Sequence, residues 1–206
     1  MEDSRTIINI GRQFGSGGKQ VAEAIGRKLG IKVYDSELIS EAANESGLSP
    51  EFFRRKDEKR SFLTSGGIFD SNRFGKFTDN YMSDSKLFTI QCDTIRHIAE
   101  EGSAIFIGRA SDYVLRDMEC LDVFVCAPME ERIANVSGRL GISRDEAGTL
   151  IAKKDKGREQ YYNFFTFSHW GVASNYDLCV DSSLLGIEGT ADFIIDFGRK
   201  SGLISL

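Results

Sequence analysis

Two histidines, four cysteines and no excess of basic residues narrow what this 206-residue chain can do. Cys92, Cys120, Cys126 and Cys179 form no C-x-x-C pair, and two histidines do not complete a structural zinc set beside them. Reduced, mostly buried thiols that pack as small hydrophobes are the expectation, with no metal held by the protein. A net charge of −5 argues against a general nucleic-acid binder, whose footprint is basic. Any anion site must therefore be built locally. No apolar run approaches the roughly 18 residues that span a bilayer, so no membrane role is expected. The opening MEDSRT is acidic and polar, without the basic region, apolar region and cleavage site of a signal peptide. A cytoplasmic location follows as an expectation. Internal repeats and extended low-complexity tracts are also missing.

What is present is ordinary for one soluble globular unit: 41% hydrophobic and 28% charged residues. Short β-branched runs alternate with segments of helical period, the pattern of a parallel sheet covered by helices on both faces. Five strands are expected: Thr6 to Ile10, Ile31 to Asp35, Ala104 to Gly108, Leu121 to Ala127 and Asp177 to Asp181. The near-continuous apolarity of the third and fourth suits strands buried on both faces. Val21, Ile25 and Leu29 mark one core-facing helix, and Leu87, Gln91, Ile95 and Ala99 mark a second. Ile133, Val136 and Leu140 mark a third, and Ile187, Ala191, Ile194 and Ile195 the last. Ser143 to Glu146 reads as a capping box, and Pro50 in SPE as a first helical residue. Two inserts, of about residues 49–84 and 142–174, interrupt the alternation in the manner of binding loops or lids. The charge run RRKDEKR in the first reads more readily as a solvated helix face than as a binding segment.

The densest chemical signal is GRQFGSGGKQ, Gly11 to Gln20, directly behind the first strand. A phosphate loop needs glycines that let backbone N–H groups converge on anionic oxygens, a helix N-terminus behind them, and a lysine as point charge. Gly15, Gly17, Gly18 and Lys19 supply these, with Lys19 in the first turn, from which its ammonium can fold back over the loop. Against G-x-x-x-x-G-K-[ST], Gln13 replaces the first glycine and Gln20 the hydroxyl residue that would ligate Mg²⁺. A dinucleotide turn competes for the same residues, with Asp35 as its ribose acid, but its third glycine would fall on Gln20. A purely structural glycine-rich turn is the third reading.

Read with its downstream segments, the chain resembles the cytidylate kinase-like family of nucleoside monophosphate kinases almost from end to end. The likeness rests on the GRQFGSGG loop, IFIGRASDYVL, LDVFVCAPMEERIANV, DKGREQYY and YDLCVDSSLLGIEG, in that order. It implies an α/β three-layer P-loop kinase fold: one domain over 1–206, a parallel five-stranded sheet of order 2-3-1-4-5, an acceptor-binding insert at 49–84 and a lid at 142–174. It implies phosphoryl transfer from ATP to a nucleoside monophosphate, CMP or dCMP. Gly15, Ser16, Gly17, Gly18, Lys19 and Gln20 then hold ATP, and Lys19, Lys154, Arg109 and Arg158 carry catalysis, with Lys156 beside them. Asp35, Ser36, Arg109, Asp155, Asp181 and Ser182 line the substrate side. Mg²⁺ is expected to be bound by ATP rather than by a protein cage, with Ser16 as one alternative ligand. Asp35 has an equally good reading as a helix N-cap, and Asp181 as a mere strand end. His169 and Trp170 read as loop anchors. A nucleotide-binding regulatory module without catalysis, and a kinase of another small acceptor, remain the alternatives. The sequence carries no indication of oligomeric state.

Overall fold

The computed structural model describes residues 5–45 and 81–205. Its frame is a five-stranded parallel sheet of order β2-β3-β1-β4-β5. The strands are β1 (Ile7–Arg12), β2 (Lys32–Tyr34), β3 (Ala104–Ile107), β4 (Leu121–Cys126) and β5 (Leu178–Asp181). All five expected strands are present, each within one or two residues of its expected ends. The helices are α1 (Gly18–Leu29), α2 (Ser36–Glu45), α3 (Tyr81–Glu101), the single turn α4 (Ser111–Val114), α5 (Met129–Leu140), α6 (Arg144–Thr166) and α7 (Ser182–Ser201).

β1 occupies the middle of the sheet, where side chains are covered on both faces and mostly apolar; the buried Asn9 donates to Asp122 at 2.8 Å. Ile8 and Ile10 enter one core with Val21 and Ile25 of α1, Ile105, Ile107, Val123 and Ile194 of α7. Ile7 points the other way, into a core with Ile39 of α2, Ile95 and Ala99 of α3, Phe106 and Leu115. Helices thus cover both faces, as the alternation of strand and helix signals predicts. Burial of this kind stabilises by roughly 25 cal/mol per Å² of apolar surface, so the two cores carry most of the fold.

A third, small cluster joins α5 to α6 through Val136, Ala147 and Ile151, with Phe14 of the glycine loop packed against it. Leu140, expected on the buried row of α5, is instead 49% exposed, because the row ends at the last turn before Gly141. Gly26 shows how closely α1 meets the sheet: a Cβ there would lie 2.5 Å from Val33 Cγ2 and 2.8 Å from the Ile31 carbonyl oxygen. The capping box is present at the start of α6, where Ser143 accepts from Glu146 N–H and Glu146 accepts from Ser143 N–H. Most of the 49–84 insert, Pro50 included, lies outside the described residues.

Candidate active site

β1 delivers the chain at the C-terminal edge of the sheet, the edge where open α/β folds place ligands. The loop then turns back into α1 through Gly15 (φ +85°) and Gly17 (φ +78°), left-handed conformations that glycine adopts without steric cost. Gly17 is also closely packed, since a Cβ there would lie 2.5 Å from Ile187 Cδ1. The first intrahelical bond runs from Val21 N–H to the Gly17 carbonyl. Gly18, Lys19 and Gln20 therefore present amides that have no acceptor within α1, beside the positive end of its dipole.

Several bonds hold this loop in shape. Ser16 Oγ lies within hydrogen-bond distance of the carbonyls of Gln13 (2.9 Å) and Val125 (3.1 Å), so its proton is directed into the loop and toward β4. Asn135 Nδ2 donates to the Gly15 carbonyl at 3.1 Å. Ser182 Oγ donates to the carbonyls of Ser16 and Cys126, pinning the start of α7 to the loop. Asp181 N-caps α7 by accepting from Ser183 N–H at 2.9 Å.

Asp155 is the centre of the next layer, halfway along α6. One carboxylate oxygen accepts from the Phe14 amide at 2.7 Å, and the other pairs with Arg132 Nη1 at 2.5 Å. Arg158, one turn further, donates Nη1 to the Arg12 carbonyl at 2.9 Å and stands 3.7 Å from Asp155. Burial depresses its proton affinity; Asp155 opposes this, and the nearby Arg109 and Arg132 add to it. Two guanidinium groups meet the Phe14 ring, Arg158 at 5.4 Å and Arg139 at 5.6 Å from its centroid.

Arg109 follows β3 in a segment of uncommon backbone. Gly108 (φ +68°), Arg109 (φ +62°) and Ala110 (φ +54°) are consecutive left-handed residues. For Arg109 and Ala110 this costs roughly 1–2 kcal/mol each, strain of the kind that collects at functional sites. Arg109 lies over the Tyr161 ring at 5.6 Å from its centroid. The aromatic end of α6 is anchored there as well. Phe165 stacks on Phe88 of α3 at 4.0 Å, and Tyr162 OH donates to Asp112 at 2.6 Å. Trp170 N–H donates to Asn163 Oδ1, and its ring meets Phe124 edge-on, so the FSHWG segment is a loop anchor as expected.

The Lys19 ammonium donates to Asp35 Oδ2 at 2.8 Å and lies 4.0 Å from Glu23, so it does not occupy the fold-back position expected from the motif. Asp35 also accepts from the Glu37 and Leu38 amides and N-caps α2. Burial pushes its carboxyl up, but Lys19 and those two amides outweigh this and hold it below the usual carboxylate value. Ser36 opens α2 beside it, and Gln20 is exposed. Lys154 is half-buried and Lys156 exposed on α6. The geometry thus gathers the loop, Arg109, Asp155 and Arg158, and gives Asp181 and Ser182 structural bonds. Motif reading overlooked Arg132 and Asn135; the one available signal was that Arg132 falls four residues before Val136, on the buried row of α5. It also passed over Arg12.

Among the described residues no group of three or more His, Cys, Asp or Glu is placed to hold a metal ion. The four cysteines are free; burial pushes Cys92 up to about 11 and Cys120 up to about 12, so neither is a ready nucleophile. No helix of the described residues is long and apolar enough to cross a membrane.

A parallel 2-3-1-4-5 sheet whose central strand opens into a glycine loop and helix, with arginines gathered at that edge, defines a P-loop kinase fold, and the protein is a phosphotransferase. The model of the cytidylate kinase-like family matches residues 7–184, and the chain belongs to that family. It is 28% identical over 187 residues to a cytidylate kinase of Methanopyrus kandleri, covering 86% of this chain and 84% of that one. A cytidylate kinase of Sulfolobus acidocaldarius is 24% identical, with 93% of each chain covered. Among solved structures, a protein of Eubacterium ventriosum matches with a TM-score of 0.70 and 27% identity over 95% of this chain and 99% of its own. The shikimate kinase of Bacteroides thetaiotaomicron, at 12% identity and a TM-score of 0.52, shares the fold.

Proposed function

We propose that the chain transfers the terminal phosphoryl group of ATP to a nucleoside monophosphate, CMP or dCMP. Family membership supports the reaction class, and the relatives' name of cytidylate kinase supports the base. The single observation that carries the reading is Arg158, fixed between Asp155 and the Arg12 carbonyl, sharing the edge of the glycine loop with Arg109.

In this reading the free amides of Gly18, Lys19 and Gln20 and the left-handed turns at Gly15 and Gly17 cradle the β and γ phosphates. Ser16 shapes that cradle through its two internal bonds. Lys19 passes from Asp35 to the phosphate oxygens, and Arg109 binds the acceptor phosphate. An oxygen of that phosphate forms the new bond to the γ phosphorus as the bond to the bridging oxygen breaks, its electron pair leaving with ADP. A phosphate oxyanion attacks without a general base, so the protein's contribution is alignment and neutralisation of charge. Arg158 and Lys154 supply the latter from α6, which acts as the lid. Asp155 orients Arg158, while Asp35, Ser36, Asp181 and Ser182 border the nucleotide sites. A magnesium ion carried by the triphosphate would supply neutralisation of charge on the phosphate oxygens. No cage of protein side chains is assigned to it.

Purified protein with ATP and Mg²⁺ is to be offered each nucleoside monophosphate while ADP is measured. CMP or dCMP should give the highest kcat/KM. Measurable ATP binding with no ADP formed across the panel would sink the kinase reading and favour a nucleotide-binding module.

A further inference from the structure

We propose that Arg12, the last residue of β1, is a catalytic residue that binds the phosphoryl group in transit, between the donor side at Gly18 and the acceptor side at Arg109. The identity of the group it binds rests on the kinase reading above.

The Arg12 side chain spans those two places. Its stem passes against the first residue of α1, where a Cβ on Gly18 would lie 2.5 Å from Arg12 Cβ. Its head reaches the left-handed turn before Arg109, with Nη1 nearest Gly108. A Cβ on Gly108 would be 1.9 Å from Arg12 Nη1 and 3.0 Å from Cζ, so the guanidinium occupies the space that any other residue at 108 would need. Two glycines thus open a track from the phosphate loop to the acceptor-side arginine, and one arginine fills it.

Its neighbours have the wrong sign for a structural cation. Burial lowers the proton affinity of Arg12 well below the usual arginine value, and Arg158 and Arg109 lower it further. Asp35 and Asp155 oppose this. Among the described residues, however, no carboxylate lies within 4.0 Å of the guanidinium, and it donates no hydrogen bond. Arg132 shows how the same fold compensates another buried arginine, pairing it with Asp155 at 2.5 Å. A half-buried guanidinium among other guanidiniums destabilises the protein unless an anion compensates it. A phosphoryl group spreads its negative charge over three equatorial oxygens during transfer. Arg12, Arg109 and Arg158 place three planar forks at one edge of the sheet, and arginine is suited to bidentate contact with such oxygens.

The test uses the full chain carrying Arg12→Gln or Arg12→Lys, with Arg27→Gln, an exposed pair with Glu188, as the control for lost charge. Inorganic tripolyphosphate is titrated calorimetrically at 0.15 M salt, at a temperature where circular dichroism shows each variant folded. Arg12→Gln should weaken tripolyphosphate binding at least about ten-fold and lower kcat roughly 10²–10³-fold. Its unfolding midpoint without ligand should equal or exceed that of the parent. Arg12→Lys should restore part of the affinity, and Arg27→Gln should bind like the parent. Parental tripolyphosphate affinity in Arg12→Gln, or parental kcat, would overturn the proposal. Should the parent phosphorylate no acceptor, the kinase reading falls, while the tripolyphosphate titration still decides whether Arg12 binds phosphate.

Discussion

Removing the Asp155 carboxylate should be among the most damaging single changes outside the two main cores. Its partner Arg132 is only 7% exposed at the side chain and Asp155 itself 17%, so the pair is shielded from water. Arg132 Nε is already buried without a partner, which leaves little to compensate the charge once Asp155 is gone. The Phe14 amide, held at 2.7 Å, loses its acceptor in the same step. Breaking a buried pair by deleting one member costs about 3–5 kcal/mol. For a chain of this length that corresponds to a fall in Tm of about 6–20 °C. Urea unfolding followed by far-UV circular dichroism should show this in Asp155→Ala as a lower midpoint with an unchanged slope. Asp155→Asn can still accept from Phe14 N–H and should lose less, about 2–3 kcal/mol. Replacing both partners, Arg132→Met with Asp155→Leu, should cost less than Asp155→Ala alone, because no buried charge is left over. A loss below about 1 kcal/mol in Asp155→Ala would refute the reasoning, since such a value belongs to solvated ion pairs.

Burial, aided by Asp112 and Asp177 and opposed by Asn9, pushes the Asp122 carboxyl up to about 6. A raised folded value means that its protonated form favours folding below the ordinary carboxylate range, and that this is lost as pH rises through about 6. Asp122→Asn should therefore be more stable than the parent at pH 7.5, by about 1–2 kcal/mol after discounting for solvent, and the gain should vanish near pH 4 in chemical denaturation. Gly26→Ala should reverse the usual gain of alanine in a helix of about 1 kcal/mol and destabilise by about 1–3 kcal/mol, because its methyl meets Val33 and the Ile31 carbonyl; thermal melts decide the sign. Asp35→Asn keeps an N-cap residue on α2 and loses an ion pair whose lysine is 57% exposed, so stability should change by less than about 1 kcal/mol. A fall in kcat without a fall in stability would then place Asp35 in the reaction, and unchanged kinetics would leave it a cap.

The five strands and the capping box at Ser143 were legible because each depends on neighbours in sequence. The inner strands are mainly apolar runs of four to six residues, and Ser143 and Glu146 satisfy one another within one turn. The glycine loop was legible for the same reason, since its turns are set by Gly15 and Gly17 themselves. The use of its polar residues was not. Ser16, expected among the ATP contacts, is turned inward by the Val125 carbonyl 109 residues away. Lys19, expected over the loop, is drawn to Asp35 at the start of α2.

Local sequence thus determined the strands, helices and loop, and the end-to-end resemblance supplied the sheet order, matched by the structure, and the family, matched by its model over residues 7–184. The tertiary structure alone decided which cations are neutralised. Arg132 meets Asp155 across 23 residues, and Asp155 reaches the Phe14 amide across 141. Arg12 ends on Gly108 with no such partner. Charge compensation depends on distance in space and on exclusion of water, and neither is written in the spacing of residues along a chain.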